Sequence, residues 1–440
     1  MTARRPIRVG LIGFGTVGAG VVKILTENAD LIERRLGGQI VLAGIADKDL
    51  TRDRGVKVDR SLLTDDARAL IGRPDIDVIV ELIGGREPAK TFLLEAIAQG
   101  KHVATANKAL LAESGAEIFS AASKAGVEVG FEASVAGGIP IIQVVKESLV
   151  ANRIGAIYGI INGTSNYILS RMSHEGSTFE AALAEAQRLG YAEADPTLDV
   201  GGGDSAHKLA ILSAIAFGTP VDLAAVPTEG ITHVTPLDIE FAREFGYAIK
   251  LLAIAKQEGD TFEARVHPTM VPETTLLAQV GDVFNAVYVV GDRVGPTLYY
   301  GRGAGSEPTG SAVVADLAAI ARNIWTGSAG RVPVLGFTDE GRRPLRMKGM
   351  DEIVSHFYLR FTVRDEPGVL AAIAGRLGAN RISIESVIQK GRAAGGSVPV
   401  VIMTHAAVER DVRTALAEID RLSEVSAPTV LIRVEGGSER

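Results

Sequence analysis

Residues 190–208 read GYAEADPTLDVGGGDSAHK. Four carboxylates (Glu193, Asp195, Asp199 and Asp204) crowd into this stretch, with glycines at 190, 201, 202 and 203 and Lys208 at its end. A lysine beside carboxylates suits proton transfer to an alkoxide or carbonyl oxygen. Neighbouring acids also bind an ammonium group. A helix starting near Gly203 or Asp204 places Asp204 and Lys208 at i and i+4, on one face. On a wet surface such a pair is worth only about 0.2–0.5 kcal/mol. The helix it opens, DSAHKLAILSAIAF, is mostly apolar and therefore buried on most sides. The preceding VGGG allows close backbone approach. Together these residues point to a small amino-acid-like substrate with a carbonyl or hydroxyl to reduce or oxidise.

A second motif supplies the redox partner. Gly13-Phe14-Gly15-Thr16-Val17-Gly18 lies between the apolar run IRVGLI and the helical pattern VGAGVVKILTEN. The first glycine permits the tight turn, the second lets the backbone approach a pyrophosphate, and the third lets helix and strand pack closely. The helix N-terminus then faces the phosphates. Asp47 ends the next strand, where an acid binds the ribose hydroxyls of NAD. Lys48, Arg52, Arg54 and Lys57 follow it, and any of them could accept the 2′-phosphate of NADP, so both cofactors stay open. Thr105-Ala106-Asn107-Lys108 ends a further strand. Ligands sit at the carboxyl ends of strands in an open parallel sheet, which aims Lys108 at the cofactor or at a substrate carboxylate.

The elements that must position these groups follow an order. Strand-like runs at 7–12, 39–47, 77–85, 102–107 and 126–135 alternate with helical patterns. They are nearly continuous apolar runs, as in a parallel sheet covered on both faces. The fold class is α/β, with a Rossmann-type doubly wound parallel sheet over 1–135. Helix candidates at 180–190, 204–217 and 238–257, with a strand at 153–162, give an α+β catalytic and dimerisation domain over 136–305. The apolar helix within 306–330 returns to the nucleotide domain, and 331–354 is a linker. The tail, 355–433, reads β-α-β-β-α-β, the ferredoxin-like order.

Composition narrows the classes further. The 440 residues carry a formal net charge of -7, the opposite of a nucleic-acid binder. No cysteine is present, which excludes disulfides, thiolate metal sites and a cysteine nucleophile and fits a reducing cytoplasm. The N-terminus has the outline of a secretory leader, but Gly13, Gly15, Gly18 and Gly20 interrupt its apolar run. No uncharged apolar stretch is long enough to predict a membrane span. The histidines lack metal-ligand spacing, and His207 points about 100° around the helix from Lys208.

Gly190-Tyr191-Ala192, Asp195-Pro196, Asp199-Val200, Gly202, Asp204 and Lys208 have the spacing of the homoserine dehydrogenase signature. GFGTVG at 13–18, TANK at 105–108, FEASVAGGIP at 131–140 and INGTSNYIL at 161–169 extend the resemblance to essentially the whole chain. The resemblance implies reversible, NAD(P)-dependent reduction of L-aspartate 4-semialdehyde to L-homoserine, within threonine, methionine and isoleucine biosynthesis. It makes Lys208 the proton donor, Asp204 its orienting partner, and Lys108 a group between nicotinamide and substrate. Glu193, Thr164, Tyr191 and Asp199 would bind the substrate, and Asp195 would be a turn residue. Gly305 would close over the cofactor, and Phe14, Thr16 and Val17 would contact it. The resemblance also implies a sodium-like monovalent cation near Glu132 and the carbonyls of Val135, Gly137 and Ile139. Read without the resemblance, that stretch is a glycine hinge.

The tail resembles an ACT domain, through Asp365-Glu366-Pro367-Gly368-Val369-Leu370 and Asn380. That implies paired tails in a homo-oligomer (dimer or tetramer), with L-threonine bound near Asp365, Gly368 and Asn380. Threonine should then inhibit the full chain and not one cut near residue 350. A ligand-free dimerisation tail is the simpler alternative. Two other functions compete: a non-catalytic sensor of nucleotide and amino acid, which has no need of a proton donor, and a dehydrogenase for another small semialdehyde.

Overall fold

A computed structural model describes residues 4–390 and 396–436. The chain forms two compact units, each assembled from separate segments. The first comprises Met1–Gly163, Asp204–Leu223 and Val283–Leu345, and the second Thr164–Gly203, Ala224–Asp282 and Arg346–Arg440. No helix among the described residues is long and apolar enough to cross a membrane.

The first unit holds a six-stranded parallel sheet. Its strands are β1 (Ile7–Ile12), β2 (Ile40–Ala46), β3 (Leu63–Thr64), β4 (Val78–Glu81), β5 (His102–Thr105) and β6 (Val129–Gly130). Their order is β3-β2-β1-β4-β5-β6, a doubly wound sheet with its switch point between β1 and β4. Val9, Leu11, Val78 and Val80 are fully buried in one apolar core on one face, and Ile79, which points to the other face, is fully buried as well, so both faces are covered. Helix α1 (Thr16–Glu27) and the late helix Ser306–Thr326 close that core, the latter through Val313, Leu317 and Ile320. Glycines let these two helices cross closely: a Cβ on Gly310 would lie 2.9 Å from the Gly20 carbonyl carbon. Ile154–Ile160, Phe284–Gly291 and Gly295–Arg302 form an antiparallel group in the same unit.

Two elements differ from the sequence expectation. The run 126–135 contributes only Val129–Gly130 to the sheet, then turns through Glu132–Ser134. The Glu132 N–H donates to the Asp316 carboxylate (2.9 Å) instead of to a strand. Ala136 and Gly137, at φ 56° and 52°, then reverse the chain. The 238–257 candidate helix is a helix, Pro236–Glu244, followed by a strand, Tyr247–Glu258. Thr235 and Asp238 cap the helix start reciprocally, with Pro236 in its first turn. Gly246 at φ 78° ends it. The apolar run beyond pairs along its whole length with Thr261–Pro272 and is buried there as strand.

In the second unit the tail builds an antiparallel sheet in the order Val425–Val434, Val354–Arg364, Ser397–Thr404, Ile384–Gln389. Helices Val369–Ala379 and Glu409–Ile419 cover one face through Ile373, Leu377, Val412 and Leu416, the ferredoxin-like arrangement. Val425–Val434 also pairs in parallel with Thr261–Pro272, through Arg433 with Thr269 and Val434 with Met270.

Candidate active site

The glycine loop leaves β1 and opens α1. Gly13 sits at φ 101°, and a Cβ there would lie 2.6 Å from the Leu82 carbonyl carbon. A Cβ on Gly18 would strike the Gly13 carbonyl oxygen, so helix and strand meet backbone to backbone. A Cβ on Gly15 would meet nothing within 4 Å, which leaves that face of the loop open to a ligand. Gly13, Gly15, Asp47, Lys48, Leu82 and Gly84 help line a cleft of about 730 Å³. It opens beside the carboxyl ends of β1, β2 and β4, and the residues present fit a dinucleotide.

Asp47 is more engaged than a simple ribose acceptor. Its Oδ2 accepts the Phe14 N–H at 2.5 Å, and its Oδ1 accepts from Asp49 N–H (2.9 Å) and Arg54 Nη2 (3.3 Å). Arg54 also donates to the Phe14 carbonyl and lies over its ring. Thr16 offers its carbonyl to the Ser306 hydroxyl at 2.7 Å. Val17 packs on the apolar core, and Gly305, at φ 126°, precedes the helix that begins at Ser306.

At the end of β5, the Thr105 hydroxyl donates to Glu81 Oε2 at 2.6 Å and accepts the Asn107 N–H at 3.0 Å. Glu81 also accepts the N–H groups of Ile83 (2.9 Å) and Gly84 (3.2 Å). Burial raises the Glu81 carboxyl above its usual range, despite these donors. Asn107 caps the helix Lys108–Ala125 by accepting from the Leu110 N–H. This buried scaffold sets where Lys108 starts.

Lys108 and Lys208 meet on one carboxylate. Asp204 takes Lys208 Nζ on Oδ2 at 2.7 Å and Lys108 Nζ on Oδ1 at 3.0 Å. Asn162 Nδ2 donates to Oδ2 at 2.8 Å, and Lys208 also donates to the Ile161 carbonyl at 2.6 Å. Asp204 is 4% exposed and Lys208 9%, so this is a buried, charge-assisted cluster and not a surface pair. Burial pushes the Asp204 carboxyl up, but the two ammoniums and the hydrogen bonds outweigh it and hold it well below the usual range. The carboxylate opens the helix Gly203–Phe217, where the helix dipole favours it. His207 turns away toward Glu113, 3.9 Å off, and burial lowers its pKa. Two lysines tethered by one carboxylate can deliver a proton to an oxygen and hold a second anion or dipole nearby.

The remaining residues of the acidic stretch lie in the second unit. The Thr164 hydroxyl donates to the Tyr191 carbonyl at 2.6 Å, and the Tyr191 ring meets Tyr167 edge-on at 5.1 Å. Glu193 is exposed, and its carbonyl accepts from Gln187. Asp199 is half-buried, and its carbonyl accepts from the Ser165 hydroxyl at 3.0 Å. Asp195 receives the Thr197 N–H (3.1 Å) and hydroxyl (2.6 Å), so it closes a turn.

Glu132 is 4% exposed, and its two oxygens accept the N–H groups of Ile142 and Gln143, each at 2.8 Å. The Ile139 carbonyl accepts the Ile141 N–H at 2.8 Å, and Val135 leads into the reversal that Ala136 and Gly137 make. Carboxylate and carbonyl oxygens are the donor type a hard cation takes, and burial raises the Glu132 carboxyl above its usual range despite its two N–H donors. In the tail, Gly368 (φ 97°) opens the helix Val369–Ala379 and Asn380 closes it, while the Asp365 N–H donates to the Gly396 carbonyl.

Glu81 and Asn162 bond directly to Thr105 and Asp204, and sequence reasoning did not select them. A lone acid ending the apolar run VIVE was the available signal for Glu81. Asn162 stood inside INGTSNYIL without any spacing to single it out.

Comparison with known proteins matches these regions. The homoserine dehydrogenase NAD-binding domain model fits residues 13–132, the homoserine dehydrogenase model fits 140–318, and the ACT domain model fits 357–424. A homoserine dehydrogenase of Neisseria gonorrhoeae is 49% identical over 98% of this chain and 99% of the relative. The crystal structure of a homoserine dehydrogenase from Thiobacillus denitrificans is 48% identical and superposes with a TM-score of 0.93, covering 98% of this chain and 99% of that one. A hyperthermophilic archaeal homoserine dehydrogenase in complex with NADPH is 26% identical, with a TM-score of 0.61 over 71% of this chain and 96% of that one. With the glycine loop, the lysine–aspartate cluster and full-length identity in agreement, this chain belongs to the homoserine dehydrogenase family.

Proposed function

We propose that this homoserine dehydrogenase interconverts L-aspartate 4-semialdehyde and L-homoserine with NADP or NAD, in the cytoplasm, on the route to threonine, methionine and isoleucine. The observation that carries this reading is the buried carboxylate of Asp204 holding Lys208 and Lys108 together. The nicotinamide, when bound, supplies or accepts the hydride. Lys208 gives its proton to the aldehyde oxygen as the alkoxide forms and takes it back in the oxidation. Asp204 keeps Lys208 charged and aimed, and Lys108 lies between nicotinamide and substrate. Glu193, Thr164, Tyr191 and Asp199 bind the amino-acid end. Gly13 to Gly18, Asp47, Thr105 and Gly305 receive the cofactor, and the NADPH carried by the archaeal relative supports NADP as one of the two.

Glu132, with the carbonyls of Val135, Gly137 and Ile139, would hold a monovalent cation that braces the reversal. Domain limits near 135, 305, 330 and 354 belong to the same proposal. So does a homo-oligomer paired through its tails, with L-threonine at Asp365, Gly368 and Asn380. The direct test is NADP- or NAD-dependent oxidation of homoserine, followed at the nicotinamide absorbance band. No turnover with either cofactor would overturn the reading. Cutting the chain near 350 would strip Val425–Val434 from the strand Thr261–Pro272. Threonine inhibition is therefore compared between the intact chain and its Gly368→Val or Asn380→Ala variants, and equal inhibition would place the effector elsewhere.

A further inference from the structure

One buried guanidinium joins the tail to the acidic stretch. Arg433, on the last strand, is fully buried. Its Nη1 and Nη2 each donate to Glu229 at 2.9 Å, while Nε (2.7 Å) and Nη2 (2.5 Å) donate to Glu409. Arg413 grips the same two carboxylates from the exposed side, at 3.0 Å each. Two guanidiniums thus neutralise two carboxylates, Arg433 forking onto each and Arg413 adding one bond to each.

Glu229 carries this anchorage onward through its backbone. Its N–H donates to the Val266 carbonyl at 2.8 Å, and the Ile231 N–H donates to the Val200 carbonyl at 2.8 Å. Between them, Gly230 lies directly on the acidic stretch. A Cβ there would come 2.6 Å from Gly201 Cα and collide with the Val200 carbonyl. Gly202, at φ 86°, is packed on Thr228 in return, its missing Cβ only 3.0 Å from Cγ2. The loop 228–231 is therefore seated backbone to backbone on Val200–Gly202. Asp199 lies on one side of that seat in the chain, and Asp204 follows on the other.

We infer that Arg433 and Glu229 are positioning residues for the substrate end of the reaction: the tail's buried guanidinium fixes the loop 228–231, and the loop fixes the turn that carries Asp199. The pair then sets affinity for the amino-acid substrate and leaves the cofactor alone, because the glycine loop and its cleft share no residue with this network. It also gives the tail a route to tune substrate affinity.

The inference rests on reading Asp199 as a substrate-binding residue, so both are measured together in the intact chain. Glu229→Gln keeps the side chain's shape and removes its charge. KM for homoserine should rise about three- to tenfold, the range for residues that act through packed intermediates. The turnover number should stay within about twofold and KM for NADP should not change, whereas general loosening of the fold would move all three. Arg413→Met, which touches the network from outside, should raise the same KM by less, and it carries the test if Glu229→Gln does not fold. Asp199→Asn is the reference. If it raises KM for homoserine while neither Glu229→Gln nor Arg413→Met does, the positioning role is overturned and the turn's role stands. If all three leave that KM unchanged, both fall.

Discussion

Replacing Asp204 with asparagine removes one charge and almost no volume, and its cost follows from the geometry. At 2.7 Å from Lys208 and an effective dielectric constant of about 20, the attraction is about 6 kcal/mol. Much of that offsets the desolvation of both groups. Removing one member of a buried pair costs about 3–5 kcal/mol, because the other charge stays behind. Lys108 is 35% exposed, so solvent screens its share. Lys208 keeps the Ile161 carbonyl as an acceptor, so the Asp204→Asn chain should fold with reduced stability. Without the carboxylate the Lys208 ammonium loses its proton more readily. The alkaline limb of aldehyde reduction should therefore move to lower pH, and turnover should fall about 100-fold, as for a displaced reacting group. Acid stability responds in the opposite window. The folded Asp204 carboxyl is held below its usual range, so its contribution is full above about pH 4 and lost as the pH falls through the depressed value. Asp204→Asn removes that acid-side slope. Steady-state rates from pH 6 to 10 and urea titrations from pH 2 to 6 read both effects. Wild-type turnover with an unmoved alkaline limb would refute the assignment of Asp204 as the group that orients the proton donor.

Three further outcomes are expected. Lys208→Ala should lower turnover by about 10²–10⁴, the range for a lost general acid, while NADPH fluorescence titration shows unchanged cofactor affinity. Gly13→Ala forces a Cβ against the Leu82 backbone at a positive φ, so it should lower the melting temperature far more than Gly15→Ala, whose Cβ meets no protein atom but stands on the face left open to the cofactor and so should weaken cofactor binding with little loss of stability. Burial pushes the Lys250 ammonium down to about 8 although it donates to the Val280 carbonyl. Between about pH 8 and its ordinary 10.5 the folded chain binds fewer protons than the unfolded one. Stability relative to Lys250→Met should therefore rise with pH across that window and stay flat below it, as denaturant midpoints would report.

How far the sequence led depended on whether the signal was local. The parallel sheet and the tail were legible because buried strands between turn residues leave a pattern within ten residues. Asp204 and Lys208 were legible because i and i+4 share a helix face. The run 238–257 misled for the same reason: apolar residues without alternation fit a buried strand as well as a buried helix, and only Gly246 marked the break. Glu81 and Asn162 were missed because their roles arise from partners 24 and 42 positions away. Nothing near either residue encodes those partners.

The same distinction explains why the acidic stretch looked overcharged. Counted locally, its four carboxylates face one lysine, a repulsive excess that should open the turn. In the folded chain each has a separate fate. Asp195 spends its charge on Thr197, Asp204 is shared by two lysines, Glu193 stays in water, and Asp199 lies beside a seat clamped from the tail. Glu229 and Glu409 add two more acids to the second unit, and Arg433 and Arg413 cancel them. The arginines pair with none of the stretch's own four acids and reach the turn only through the backbone of the loop 228–231, so Arg413→Met should raise KM for homoserine more than Asp195→Asn, whose carboxylate closes only its own turn.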